Sequence, residues 1–348
     1  MMIPPPLLTI SIPTYNRAAC LNLLLQSIVN QMTSGDAEKI EVCIFDNFST
    51  DNTAVIVEPF TKKNAYISYV CNNENIGADN NFVKSFLAAR GKFFWMLGDD
   101  EILLEGAIKW ILKFCQEREF GCLYLSPISE YLPEIPKLLG RSIDSPVKLK
   151  AYAPYHFAKA VNYRITFLSS SIVNRAELLE WNSEITKDIE HFSNSNLVHL
   201  TWIFSAILSM PTSYLALTPL FGATRANSSG YRPVKVFIVN FPNIFGYYFS
   251  IINPRAYSFI RLFTLVGWFP KVVFDLRFSK KYQVTGYGVD IEEFPKDMQA
   301  GFIWWIFSHF VLAGSRGVSF FGMLLLKGLH KLFQLVYLVR GKNISRGL

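Results

Sequence analysis

The chain has 348 residues, of which 51% are hydrophobic and only 18% charged, a balance that excludes a disordered or low-complexity protein and requires a packed core. Its formal net charge of +7 is unevenly placed: residues 1–230 hold 19 Lys and Arg against 22 Asp and Glu, whereas residues 231–348 hold 15 against 5. The length accommodates two domains, or one large domain with a C-terminal extension, and the composition excludes a collagen-like or coiled-coil rod.

Residues 7–13 (Leu-Leu-Thr-Ile-Ser-Ile-Pro) predict a short buried strand ending at residue 12, because the Pro13 nitrogen carries no proton for a ladder. Leu21, Leu24, Leu25, Ile28 and Val29 then repeat at helical spacing and predict one apolar face of a helix over 18–31. The unit recurs as strand 40–45, helix 49–60, strand 67–71, helix 80–89, strand 93–97 and helix 102–117. Strands alternating with helices imply a parallel sheet covered on both faces. In such a sheet the ligand lies beyond the carboxyl ends of the strands. There the chain is polar, with Thr14, Tyr15, Asn16 and Arg17 after the first strand and Asp46, Asn47, Ser49, Thr50 and Asp51 after the second. Asn72, Asn73, Glu74, Asn75 and Gly77 follow the third strand, and Gly98, Asp99, Asp100 and Glu101 the fourth.

Three carboxylates in succession at the end of an apolar strand repel one another unless a cation is bound. Oxygen ligands suit a hard divalent ion, Mg²⁺ or Mn²⁺, which commonly bridges one or two carboxylates to the phosphates of a substrate. The alternative for Asp99 to Glu101 is to cap the helix predicted to follow at Ile102. Asp46 is in the same position, either a hydrogen-bond acceptor for a ligand or the cap of the Asp-Asn-Phe-Ser turn. Tyr15 and Arg17 are placed to stack on a base or to bond a phosphate, or are exposed loop residues. Asp79 and Asn80 read as sugar contacts or as a helix cap.

Four segments together resemble the family 2 glycosyltransferases of the GT-A fold: Ser-Ile-Pro-Thr-Tyr-Asn-Arg (11–17), Phe-Asp-Asn-Phe-Ser-Thr-Asp-Asn-Thr (45–53), Asn-Ile-Gly (75–77) with Asn81, and Leu-Gly-Asp-Asp-Glu (97–101). The resemblance implies an α/β fold with a mostly parallel central sheet flanked by helices. It implies a nucleotide-sugar donor held by Pro13, Thr14, Tyr15, Arg17, Asp46 and Asn47, with Asp79, Asp99 and Arg225 as further contacts. Asp100 and Glu101 would then bind the metal, Mg²⁺ or Mn²⁺. Aligned on its last acid, the family's first Asp falls on Gly98. In its Asp-Asn-Phe-Ser, Leu-Gly-Asp-Asp and C-terminal portions the chain is similar to the abequosyltransferase-like enzymes of bacterial O-antigen assembly.

By the same resemblance residues 165–175 form the strand before the catalytic base and residues 196–210 the helix after it. The family's Glu-Asp pair would fall near Asn194 to Asn196, where no acid stands. Asp188 and Glu190 are the nearest carboxylates, with His191 and His199 as nitrogen alternatives. Arg225 lies in a polar segment resembling the return loop over the donor.

Residues 192–224 carry no charge for 33 positions, but Pro211, Pro219 and His199 predict a buried helix and core strand rather than a membrane span. Residues 1–230 therefore read as the transferase domain, donor half 1–110 and acceptor half 111–230, and residues 231–348 as a basic, aromatic, membrane-associating region. No acid follows Asp297, while Arg316, Lys327, Lys331, Arg340, Lys342 and Arg346 do. The uncharged stretches 236–253 and 300–314 and the segment 327–340 suit interfacial helices on an anionic membrane better than contact with nucleic acid. Five cysteines without a C-x-x-C pair predict reduced thiols, and the Met-Met-Ile-Pro-Pro-Pro start lacks a secretory signal, so the expected location is the cytoplasmic face of the cell membrane. The expected activity is transfer of a sugar to a polyprenyl-diphosphate-linked glycan; the alternative is a non-catalytic scaffold built on a degenerate transferase domain.

Overall fold

In the computed structural model, which describes residues 5–131, 134–225, 232–278, 292, 294–296, 299 and 301–344, with the backbone alone at 129–131, 224–225 and 332–344, the chain divides into two units, Met1–Asn227 and Ser228–Leu348. The first unit begins with β1 (Leu8–Thr14), α1 (Ala18–Val29), α2 (Ser34–Ala37), β2 (Ile40–Asp46), α3 (Thr53–Lys63), β3 (Ile67–Cys71), α4 (Ala78–Ala88) and β4 (Phe93–Met96). It continues through β5 (Ile102–Leu103), α5 (Ala107–Glu117), β6 (Cys122–Leu125), β7 (Ile128–Tyr131), β8 (Leu149–Tyr152), α6 (Pro154–Val161) and β9 (Ser171–Asn174). It closes with α7 (Arg175–Trp181), α8 (Ile185–His191), α9 (His199–Ser209), β10 (Ser213–Ala216) and β11 (Phe221–Arg225).

Eight strands form one sheet in the order β3-β2-β1-β4-β9-β6-β10-β8. The expected parallel pairing holds across β3, β2, β1 and β4; beyond them β9 runs antiparallel to both β4 and β6, so the sheet is mixed. Leu8, Ile10 and Ile12 of β1 pack with Leu21, Leu24, Leu25 and Ile28 of α1 in the main core, as the helical spacing predicts. Strand β1 passes through Pro13 instead of stopping before it. Along a strand alternate residues face alternate neighbours: the Ser11 carbonyl accepts from Leu97 N on the β4 side, and the Thr14 carbonyl from Asn47 N on the β2 side. The Pro13 nitrogen therefore points to the β4 side, one step past the last β1–β4 pair, Ser11 with Met96. No ladder bond is forfeited there.

The expected helix over 102–117 starts later, at Ala107, because Ile102 and Leu103 form β5, paired antiparallel with β11. Ile102, Leu103 and Leu104 are all buried, and they alternate between two cores: Leu103 enters the main cluster, whereas Ile102 and Leu104 join Ile135 and Leu138 beneath the small sheet β5-β11-β7. That alternation has a period of two, which only a strand provides. Gly106, at φ +87°, turns the chain into α5.

The long uncharged segment becomes α9 and β10, buried as expected. Trp202 of α9 stacks on Phe86 of α4 with ring centroids 4.6 Å apart, and Phe94 of β4 meets Phe86 edge-on at 5.3 Å. Among the described residues no helix is long and apolar enough to cross a membrane.

The second unit is helical. A π-helical turn over Lys235–Asn240 leads into α10 (Phe241–Phe249), followed by α11 (Ala256–Val266), α12 (Phe269–Phe278), α13 (Gly301–Ile306), a second π-helical turn over Phe307–Leu312, and α14 (Arg316–Ile344). Its core gathers Val266, Phe269, Val273, Phe294, Phe307 and Leu326.

Because Trp202 joins α9 to α4 in a water-free cluster, Trp202→Ala should lower the unfolding free energy by about 3–5 kcal/mol in denaturant titration. Trp181 is half exposed, and Trp181→Ala should change it by no more than about 0.5 kcal/mol.

Candidate active site

The ends of β1, β2 and β4 lie side by side, which brings the loops after them to one rim. Asp99 is buried there. Thr14 Oγ1 donates to Asp99 Oδ2 at 2.7 Å and Arg17 Nη1 donates to Asp99 Oδ1 at 3.1 Å. The same Nη1 lies 3.3 Å from Asp100 Oδ2. Arg17 thus acts as counter-ion to two carboxylates. Burial still pushes Asp99 up to about 6, against the pull of Arg17 and Thr14, and raises Asp100 as well. Glu101 accepts a hydrogen bond from Ser169 Oγ at 3.0 Å on Oε1. Ser169 Oγ in turn accepts from Gly98 N at 3.0 Å. Burial first, and then the charge of Asp100, hold Glu101 well above the usual carboxylate range. Its Oε2 is buried and has no hydrogen-bond partner among the described residues.

The place where the family pattern carries an acid is filled differently. A Cβ at Gly98 would lie 3.2 Å from Ser169 Oγ and 3.3 Å from both Asp100 Oδ1 and Glu101 Oε1. Those three oxygens surround the space that a side chain at 98 would enter. Among the described residues no group of three His, Cys, Asp or Glu side chains is arranged to hold a metal ion alone. The donor set is nevertheless all oxygen, and it includes the orphaned Glu101 Oε2. It fits a hard cation that completes its shell with oxygens of a bound phosphate, not a closed protein cage.

Asp46 takes the capping role weighed for it: Oδ1 accepts from Ser49 N at 2.9 Å and caps the turn, while Oδ2 accepts from the Tyr69 hydroxyl at 2.5 Å. Asn47, predicted as a donor contact, is buried and holds the framework. Its Oδ1 accepts from Asn72 Nδ2 and Ile76 N, both at 3.0 Å, and its Nδ2 donates to Asn75 Oδ1 at 2.8 Å. Asn72 also donates to Asn81 Oδ1 at 3.0 Å, and Asn81 donates to the Phe45 carbonyl at 2.9 Å. Lys84 Nζ reaches Asn72 Oδ1 at 2.6 Å. Reading the loops singly missed this amide network; its signal was the density of asparagine after the second and third strands.

The first two loops are laced together as well. Asn16 Oδ1 accepts from Thr50 N at 2.7 Å, Asn16 N donates to Ser49 Oγ at 2.8 Å, and Ala18 N donates to Asp51 Oδ2 at 3.0 Å. This leaves the rings of Tyr15 and Phe48 exposed on adjacent loops. Phe48 adopts φ +70°, a left-handed conformation that a bulky residue pays for only where the surroundings impose it. Nothing in the sequence reading singled out Phe48.

On the other side of the rim Asp79, at the start of α4, turns its buried carboxylate toward residues 192–198. Oδ2 accepts from Asn196 N at 2.9 Å, and Asn194 and Asn196 take φ +61° and +59°. Asp188 lies buried in α8, where Oδ2 accepts from Asn182 Nδ2 at 2.8 Å; that amide also donates to Ser205 Oγ of α9. Glu190 and His191 are exposed. His199 is buried, with Nε2 at 3.0 Å from the Thr166 carbonyl, and burial lowers its pKa to about 4. Arg225 ends β11, in register with Tyr131, and its side chain lies outside the described residues.

Residues 9–160 match Glycosyl transferase family 2. This segment is a family 2 glycosyltransferase domain. The abequosyltransferase RfbV of Salmonella typhimurium is 35% identical over 130 residues, 33% of this chain and 37% of that protein. The GalNAc(5)-diNAcBac-PP-undecaprenol beta-1,3-glucosyltransferase of Campylobacter jejuni is 32% identical over 113 residues, 32% of this chain and 35% of that one. The matched segments thus span little more than a third of these relatives. The crystal structure of S. aureus TarS 1-349 in complex with UDP-GlcNAc shares the fold of the glycosyltransferase domain and beyond, with a TM-score of 0.57 at 18% identity, covering 93% of this chain and 91% of that one.

The charges of the first unit lead to two expectations. Arg17→Ala removes the counter-ion shared by Asp99 and Asp100, so the variant should lose about 1–3 kcal/mol of stability in EDTA. Its Tm should recover with Mn²⁺ by more than that of the wild type, as differential scanning fluorimetry would read. His199 takes up no proton in the folded state until about pH 4, whereas the unfolded chain does so near pH 6.5. Its contribution is complete above pH 6.5 and lost as pH falls toward 4, on the order of 3 kcal/mol in all. His199→Gln should flatten that part of the stability–pH profile.

Proposed function

We propose that the chain transfers a glycosyl group from a nucleoside-diphosphate sugar to a glycan carried on a polyprenyl diphosphate, at the cytoplasmic face of a bacterial membrane, in the assembly of a surface polysaccharide of the O-antigen type. The observation that carries this reading is the carboxylate-bearing rim of a family 2 domain, where Asp99, Asp100 and Glu101 leave β4 with Asp46 on β2 nearby. The names of the relatives, an abequosyltransferase and a glucosyltransferase acting on an undecaprenol-linked glycan, support the acceptor class. The UDP-GlcNAc bound by TarS supports a nucleotide-sugar donor. The basic second unit supports attachment to an anionic membrane, which would keep the protein beside a lipid-borne acceptor.

In this reading Tyr15 and Phe48 offer the base an aromatic surface, Asp46 accepts from the nucleoside, and Arg17 turns from Asp99 and Asp100 toward the diphosphate. The acceptor oxygen forms a bond to the anomeric carbon as the bond from that carbon to the diphosphate breaks. The electron pair leaves with the diphosphate, and the hydroxyl proton passes to a carboxylate. Asp188 and Glu190 remain the proposed proton acceptors, since their helix leads into the segment that Asp79 holds. Asp100 and Glu101 would hold Mg²⁺ or Mn²⁺, which when bound supplies positive charge to the departing diphosphate.

Thermal stabilisation by CDP, UDP, dTDP and GDP, each with and without Mn²⁺, tests the donor site. One nucleotide should raise the Tm strongly and only with the metal. Asp100→Asn should abolish that dependence and lower turnover by roughly 100-fold or more while remaining folded. Absence of any shift in folded protein would favour the non-catalytic scaffold.

A further inference from the structure

Helix α14 packs into the second unit through Ser319, Gly322 and Leu326, all buried. The contact at Gly322 is so close that a Cβ there would lie 2.4 Å from Phe310 Cβ. Arg277 fixes the turn before the helix, donating to the carbonyls of Val311 and Gly314 at 2.5 and 2.9 Å and to Ser319 Oγ at 2.9 Å. With that stripe inward, the 100° step of a helix turns Phe320, Phe321, Leu324 and Leu325 outward. All four are exposed, Phe320 at 48% and Phe321 at 54%. Phe302 at 68% and Trp305 at 47% exposure extend the surface. The rings form an unbroken series: Phe302 stacks on Trp305 at 6.2 Å, Trp305 meets Phe310 at 5.5 Å, and Phe310 meets Phe321 at 6.3 Å. Core packing has no use for this face, which is apolar on the side away from the buried stripe. A water-facing surface has no use for it either.

We infer that this aromatic ridge is the surface by which the second unit enters the interface of an anionic bilayer. The inference rests on the proposed membrane attachment and names the residues that make it. Charge decides the occupant. Lys327 and Lys331 stand exposed along one edge of the ridge, Arg316 at its start, and no acid occurs anywhere after Asp297. An apolar face with Arg316, Lys327 and Lys331 of its own helix beside it matches acyl chains beneath phosphate headgroups. A second copy of the same face would instead bring its own cations against these. Since no helix among the described residues is a candidate span, the ridge lies along the interface.

Co-sedimentation of the full chain with phosphatidylcholine vesicles, with and without phosphatidylglycerol, tests this. The wild type should bind, and bind more strongly with the anionic lipid. Phe320→Ser with Phe321→Ser should weaken binding about tenfold or more. Lys327→Glu with Lys331→Glu should weaken it only where phosphatidylglycerol is present. Both changes are on an exposed face, and an unchanged Tm would verify folding. Ile251→Ser, at another exposed apolar position of the same unit, should have little effect. Vesicle binding that survives the phenylalanine changes but falls with Ile251→Ser overturns the ridge and leaves membrane attachment standing. No binding by the wild type overturns both. A dimer in sedimentation equilibrium that the phenylalanine changes dissolve assigns the face to a second copy. None of these outcomes bears on nucleotide binding by the first unit, which the thermal-shift panel reads separately.

Discussion

Three consecutive carboxyl groups at a buried strand end are a problem in electrostatics before they are a site, and the first unit is arranged around its solution. Asp99 has almost no contact with water and cannot disperse its charge, so the loop after β1 brings Thr14 and Arg17 across to it. Arg17 is shared with Asp100; Glu101 turns away to Ser169 and keeps its proton far above the range of a free carboxyl. One guanidinium thus balances a cluster that burial would otherwise neutralise. The arrangement is stable enough to exist and poorly enough compensated to welcome a further cation.

The rest of the rim follows from that constraint. To deliver Arg17 to the end of β4, β1 has to lie between β2 and β4, and the parallel order β3-β2-β1-β4 provides this. The loops are then locked to each other by neutral groups: Asn16 to Ser49 and Thr50, Asn47 to Asn72, Asn75 and Ile76. The charge at the rim is left facing whatever binds there. The second unit is built on different physics, aromatic rings packed against one another with basic side chains outside, and its outward surface is apolar where the first unit's rim is polar.

Much of this was legible in the residues. The alternation of apolar runs with helical spacing located β1 to β4 and the helices between them, and the polar runs after each strand located the rim. What failed did so for physical reasons that a linear reading cannot weigh. Pro13 looked like a stop because the side on which its nitrogen would face was not known. Ile102 to Leu104 read as the start of a helix because the partner strand β11 lies more than a hundred residues further on. The network around Asn47 went unseen because its partners, Asn72 and Asn75, belong to another loop. Phe48 carried no signal, since an exposed aromatic in a polar loop becomes informative only when its backbone conformation is seen.

The asparagine network has a chemical consequence of its own. Each link depends on an amide offering a donor and an acceptor at once: Asn72 gives its Nδ2 protons to Asn47 and Asn81 while its oxygen takes the Lys84 ammonium. Hydrolysis of that one amide to a carboxylate would strengthen the bond to Lys84 and destroy the other two, setting oxygen against oxygen at both. Exchange of that one NH2 for an oxygen and a negative charge would therefore loosen the segment after β3 while the carboxylates at the end of β4 stay chemically untouched.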